Sequence, residues 1–196
     1  MTVKRTVEPT ELPVTMDEVK AHLNVTHTED DGKIAGYLAS VVAGLDGPEG
    51  LLGRALITQT LEYTLDSFPR RPINLPCAPM QSVSSITYID TDGDSQTLAT
   101  ATYRVLNASN PMERGRIELA YGSTWPSTRR IEQAVTVTYV AGFGARNAVP
   151  EYIRTLIMYG VKAHYDWNEP FTMNTQLFES PAWRGLFHQA AIAGGA

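Results

Sequence analysis

The sequence predicts an α+β fold: N-terminal helices and a late helix forming a small bundle, an antiparallel β-hairpin and meander region inserted between them, and a C-terminal tail. Three observations predict it. Apolar residues recur at helical spacing in the first 46 residues and again from Glu151. Between these stretches the pattern changes to period two, broken by proline and Asp-Gly turn signals. The strands follow one another instead of alternating with helices, which separates α+β from α/β.

Residues 1–14 carry Pro9 and Pro13 with little periodicity and read as an extended N-terminal arm. Thr15 stands three residues before Glu18, the spacing of a capping box, and Val14 stands where a hydrophobic staple would. Met16, Val19 and Leu23 then share a face, which predicts a helix over about 15–25. Thr28 caps a second helix, about 29–46, with Asp30 and Asp31 in the first turn, where the helix dipole favours acid. Its apolar stripe is Ile34, Tyr37, Leu38, Val41, Val42 and Leu45. Gly47-Pro48 ends it.

The β region spans about 56–141. Ile57, Gln59, Leu61, Tyr63 and Leu65 alternate with polar residues as a strand does. Four prolines (Pro69, Pro72, Pro76 and Pro79) leave room only for a short edge strand at Ile73–Leu75. Val83–Ile89, Ser95–Leu98, Tyr103–Leu106 and Arg116–Ala120 read as strands, with Asp92-Gly93 as a hairpin turn. Ala134–Val140 is nearly all β-branched or aromatic. Pro150 then opens a helix over 151–167, where a missing N–H costs nothing. Residues 15–167 form the predicted core. Residues 168–196 form a tail in which Phe171, Phe178, Trp183 and Phe187 alternate with polar residues, a pattern expected of a segment that docks on a partner.

Bulk properties bound the function. The chain has 196 residues, 43% of them hydrophobic, which suits a medium-sized core. A net charge of −5 argues against a protein that grips a phosphate backbone. The single cysteine, Cys77, permits no intrachain disulfide and fits a reducing compartment. The N-terminus lacks the apolar core of a secretory signal, and no stretch approaches the roughly 20 apolar residues of a membrane span. Synthesis in the cytoplasm is the expectation.

The motifs with chemical meaning are weak. Gly142-Phe143-Gly144 follows a strand and precedes a helix, as a phosphate cradle does. A dinucleotide fingerprint needs a third glycine, and a Walker loop needs Gly-Lys-Ser/Thr; both are missing. The competing reading is a loop whose glycines turn a strand into a helix. Asp90-Thr91-Asp92-Gly93-Asp94 resembles the start of a calcium loop, but its glycine is fourth and the twelfth residue is Ala101. A hairpin turn explains it. His22, His27, His164 and His188 show no metal-ligand spacing. Cys77 lies in a proline-bounded loop with no local base or helix start to lower its pKa. The predicted catalytic, metal and cofactor residues are therefore none. Arg70-Arg71 follows Phe68-Pro69, and Arg129-Arg130 follows Trp125-Pro126. Arginine with aromatic residues is an interface composition, and it fits a solvated loop with a packed aromatic equally well. Arg70, Arg71, Trp125, Arg129 and Arg130 are the candidate interface in the core, and Phe171, Phe178, Trp183 and Phe187 that in the tail.

The order of several segments resembles the head–tail connector (adaptor) proteins of tailed bacteriophages and gene transfer agents. The segments that carry the resemblance are GRALITQT from Gly53, LPCAPMQSV from Leu75, YGSTWP from Tyr121, YVAGFG from Tyr139 and VPE from Val149. It runs from about Leu12 to Glu169. It departs at Gly44–Gly50, which is richer in glycine than the family's continuous second helix, so that helix is expected to end early. The resemblance implies a non-enzymatic homo-oligomeric ring, commonly a dodecamer, in the neck of a virion or phage-like particle assembled in the bacterial cytoplasm. Its implied partners are the portal protein, the next tail-side component (stopper or tail terminator) and double-stranded DNA, which passes through the channel without sequence-specific binding. An acidic lumen would let DNA slide. No membrane and no cofactor is implied. The alternatives are a small nucleotide-binding or hydrolytic protein using the Gly142–Gly144 loop, and a soluble binding module unrelated to virions.

Overall fold

The computed structural model describes residues 1–167 and 181–191. They fall into two compact units, one made of Met1–Pro9 and Thr58–Phe143, the other of Thr10–Ile57 and the chain from Gly144 onward.

The first unit is all β. Its larger sheet has five antiparallel strands in the order β1 (Thr2–Val7), β2 (Gln59–Leu65), β8 (Val135–Ala141), β4 (Met80–Ile89) and β5 (Ser95–Thr97). β8 is central, and its alternation is the reason. Val135, Val137, Tyr139 and Ala141 are buried, while Thr136, Thr138 and Val140 are half-buried on the other face. Leu61 lies opposite Tyr139 and Leu65 opposite Val135, so β2 brings its apolar side chains to the same face. β4 pairs with β8 through two register shifts, at Met80/Ser82 and at Val83/Ser85. One extra residue would flip every later side chain to the wrong face, and a second flips them back. Met80 and Ile86 therefore both reach the core.

The residues expected to form an extended arm include a strand. Thr2–Val7 pairs with β2, from Thr2 opposite Thr64 to Arg5 opposite Leu61. Its sequence, TVKRTV, is too polar to announce burial because it is an edge strand, half-buried only at Val3 and Arg5. A smaller sheet runs β3 (Ile73–Asn74), β7 (Arg116–Leu119), β6 (Tyr103–Leu106). Buried Ile117 faces Ile73 on one side and Val105 on the other. Gly115 leads into β7, where a Cβ would stand 2.5 Å from the Met80 side chain.

The second unit is helical: α1 (Met16–Leu23), α2 (Asp31–Leu45), α3 (Glu151–Trp167) and α4 (Pro181–Ala190). The capping box of α1 is complete. Thr15 Oγ1 accepts from the Glu18 N–H at 3.1 Å, and the Thr15 N–H donates to Glu18 Oε2 at 2.7 Å. Asn24 closes the helix in the left-handed conformation, φ 58°. The stripe Ile34, Leu38, Val41 and Leu45 of α2 is buried, as are Ile153, Leu156, Ile157 and Val161 of α3. Gly160 allows the close approach of these two helices, since a Cβ there would meet Val41 Cγ1 at 2.8 Å. α2 ends at Leu45, one residue before its predicted end. Buried Asp46 is extended, and its Oδ1 accepts the Leu56 N–H at 2.7 Å.

Candidate functional site

Gly142 is held by the protein's own hydrogen bonds. The Gly142 N–H donates to the Pro79 carbonyl at 2.9 Å, and its carbonyl accepts from Gln81 Nε2 at 2.8 Å. Gly142 and Gly144 have φ of 127° and 124°, a region that side chains strain to enter. A short 3₁₀ turn, Arg146–Ala148, then leads to α3. The arrangement is a strand-to-helix joint in which the Gly142 N–H, a donor that a phosphate cradle would need, is already taken.

The Asp90 turn is likewise self-contained. Asp90 Oδ1 accepts from the N–H groups of Asp92, Gly93 and Asp94 at 2.9–3.0 Å, and Oδ2 accepts from Gln96 Nε2 at 2.8 Å. These bonds, the Gln96 one foremost, hold its carboxyl below the usual carboxylate range. Cys77 is buried at φ 57°, beside the bond that Tyr139 Oη donates to the Pro76 carbonyl at 2.6 Å. Burial pushes the Tyr139 phenol far up, so it acts as a fixed donor. Among the described residues, no three His, Cys, Asp or Glu side chains group to hold a metal.

The four histidines are dispersed. His164 stacks on Tyr37, His22 meets the Tyr159 ring edge-on, His27 lies 3.0 Å from Glu29, and His188 is exposed on α4. Two arginines tie the start of the second unit to α3. Arg146 binds Glu11 at 3.1 Å and donates to the Leu12 carbonyl at 2.8 Å, and Arg154 pairs with both Glu18 and Glu151. Glu11, Glu18, Arg146 and Arg154, together with Ala145 and Asn147, line an open concavity of about 420 Å³.

The loops that carry the two arginine pairs of the β region do come together. Phe68 stacks on Trp125 with ring centroids 4.8 Å apart and planes 4° from parallel, and it meets Tyr88 edge-on at 5.6 Å. The Gln133 N–H donates to Asp66 Oδ1 at 3.0 Å. These contacts hold the loop after β2 against the loop before β8. Arg70, Arg71, Arg129 and Arg130 are all exposed, whereas Trp125 is half-buried and serves as the packed aromatic. A concavity of about 400 Å³ between the loops is lined by Asp66, Arg129, Arg130 and Glu132, among others, so its charges balance.

In the tail, Phe171 and Phe178 lie outside the described residues. Trp183 is only 3% exposed, stacked on half-buried Phe187 at 5.0 Å. Its indole is therefore covered by its own unit. The alternation of aromatic and polar residues is that of an amphipathic helix, and the pattern alone does not say what covers it. Tyr121, outside the candidate interface residues, is also at the surface. It is fully exposed (105%) on a turn closed by the Ser123 N–H donating to the Ala120 carbonyl, with Gly122 at φ 76°. The Tyr-Gly pair between two strands was the available signal.

No protein-family model matches the sequence, and no curated protein sequence matches it. Solved structures do. A chain described as from the "neck of empty GTA particle computed with C6 symmetry" superposes with a TM-score of 0.78 at 19% identity, covering 100% of this chain and 98% of the other. A chain from the "virion of native gene transfer agent (GTA) particle" gives 0.77 at 21% identity, and one from the "neck of native GTA particle computed with C12 symmetry" gives 0.75 at 22%; each covers 100% of this chain and 98% of the other. Over its whole length, this α+β chain is similar in fold to chains from the neck and virion of gene transfer agent particles.

Proposed function

We propose that this chain is a structural head–tail connector (adaptor). In this reading it forms a homo-oligomeric ring, commonly of twelve copies, beneath the portal of a tailed-phage or gene-transfer-agent particle. The ring joins the DNA-filled capsid to the tail and surrounds the DNA exit channel. The full-length likeness to neck chains carries the reading, and the C6 and C12 symmetry of those necks supports a ring. A net charge of −5 suits a wall past which double-stranded DNA slides without being gripped. No described helix is long and apolar enough to cross a membrane. The portal above and the next tail-side component below are the protein partners.

The tail beyond Trp167 is the segment proposed to dock on the portal. Since α4 packs through Trp183, deleting the whole tail mixes docking with stability. Co-expression with the portal protein of the same particle separates them. The full chain is expected to co-purify with the portal, and a chain lacking 168–180, with α4 rejoined through a Gly-Ser linker, is expected to lose the portal while keeping its melting temperature. Failure of the full chain to bind portal would contradict the adaptor reading.

A further inference from the structure

β1 and β5 are the two edges of the five-stranded sheet, and both belong to the first unit. Every neighbouring pair in that sheet is antiparallel, so β1 and β5 run in the same direction. No strand lies beyond either one among the described residues. The outward backbone groups of an edge strand are a template for another chain.

The edges carry opposite charge. β1 contains Lys4 and Arg5 and no acid. Lys4 is exposed, and Arg5 pairs with Glu8 at 3.0 Å. β5 is exposed at all three residues, and the turn that feeds it contains Asp90, Asp92 and Asp94. Arg129 reaches over this turn, since a Cβ on Gly93 would meet its Nη1 at 2.3 Å. With Glu8 and Arg129 counted, the β1 edge remains basic and the β5 edge acidic.

We propose that β1 of one copy pairs in parallel with β5 of a second copy, joining their sheets edge to edge. This rests on the ring reading above and names its contact. Two β1 edges would set Lys4 and Arg5 against their own kind, and two β5 edges would set aspartates together, so like-with-like pairing is disfavoured. Pairing of unlike edges is head-to-tail, the type that closes into rings. The charges also select a register: Ser95–Thr97 beside Arg5–Val7 brings Asp94 next to Lys4. β5 is short, and parallel ladders are the weaker kind, so each contact is modest and gains from repetition around a closed ring.

The test uses the full chain at its highest soluble concentration, with sedimentation and cross-linking as readouts. Lys4→Glu alone and Asp94→Lys alone are each expected to weaken association about threefold to tenfold, and the double exchange to restore it. The Thr6→Cys, Gln96→Cys double variant is expected to give a disulfide-linked ladder on oxidation, with either single variant stopping at dimers; buried Cys77 supplies the background control. Association that is indifferent to the charge exchanges and yields no ladder overturns the edge pairing and leaves the ring reading standing. No association at all also overturns edge pairing as the contact that holds copies together, and the ring reading is then decided on the portal.

Discussion

Arg54 Nε donates to the carbonyl oxygen of Ala190, 136 residues away and at the C-terminal end of α4. Arg54 is 1% exposed, and burial lowers its pKa from the usual guanidinium value. Helix C-termini leave carbonyls without intrahelical partners, and a cation there also meets the negative end of the helix dipole. Arg54→Met keeps much of the packing volume and removes the donor. We expect a loss of about 2 kcal/mol in urea unfolding. Unchanged stability would show that the Arg54 bond does not hold α4 in place.

His164 gives the second unit a dependence on pH. Its ring is buried and stacks on Tyr37 at 5.4 Å, and Lys33 Nζ lies 5.9 Å from the Tyr37 ring centroid. Burial disfavours the imidazolium and holds the pKa below 6.5. The folded state thus binds this proton less tightly than the unfolded state. Its stability is complete above 6.5, falls as pH drops from 6.5 toward the lower folded value, and levels off beneath it. His164→Phe keeps a stacked ring without the titration. Urea midpoints between pH 5 and 8 are expected to fall on the acid side for the parent and to flatten for the variant; an equal slope in both would clear His164.

Glu18 acts in the carboxylate range. The Thr15 N–H and then Arg154 hold its carboxyl below 4.5. That stability is present above 4.5 and is lost as pH falls through the lowered value. Thr15→Ala removes the other half of the box and is expected to cost about 1 kcal/mol, read from thermal unfolding at pH 7.

Gly142 and Gly144 test the joint against the cradle. Either one changed to Ala places a Cβ at a φ near 125° and is expected to cost about 1–3 kcal/mol. ATP or NAD is expected to leave the melting temperature of the parent unchanged, because the Gly142 N–H and carbonyl already have partners. A rise in melting temperature with either nucleotide would revive the nucleotide-binding reading.

The loop cluster separates packing from recognition. Trp125→Ala removes the stack on Phe68 and is expected to lower stability by about 1 kcal/mol. Arg70→Ala and Arg130→Ala touch exposed side chains and are expected to change stability by less than about 0.5 kcal/mol. If these arginines face a partner, the same substitutions lower incorporation into particles; full incorporation would assign them to solvent.

What the sequence made legible was local. The Thr15–Glu18 box lies within four residues, the alternation of β8 within seven, and Pro150 marks the entry to α3. What it hid was long-range or edge-like. β1 is a polar edge strand whose partner lies some sixty residues on, and nothing in TVKRTV alone demands that partner. Phe68 and Trp125 stack although β3 to β7 separate them in sequence, so composition named the loops without showing that they touch. Trp183 was the costliest case: an aromatic in a tail reads alike whether it covers the chain's own core or a neighbour's.

The adaptor ring is tested most directly by electron microscopy of the intact particle at its portal vertex. The account predicts density for this chain, repeated around the axis directly beneath the portal, with its fold lining the DNA channel. A portal vertex resolved with a different chain in that position, and this one absent from the neck, would contradict it.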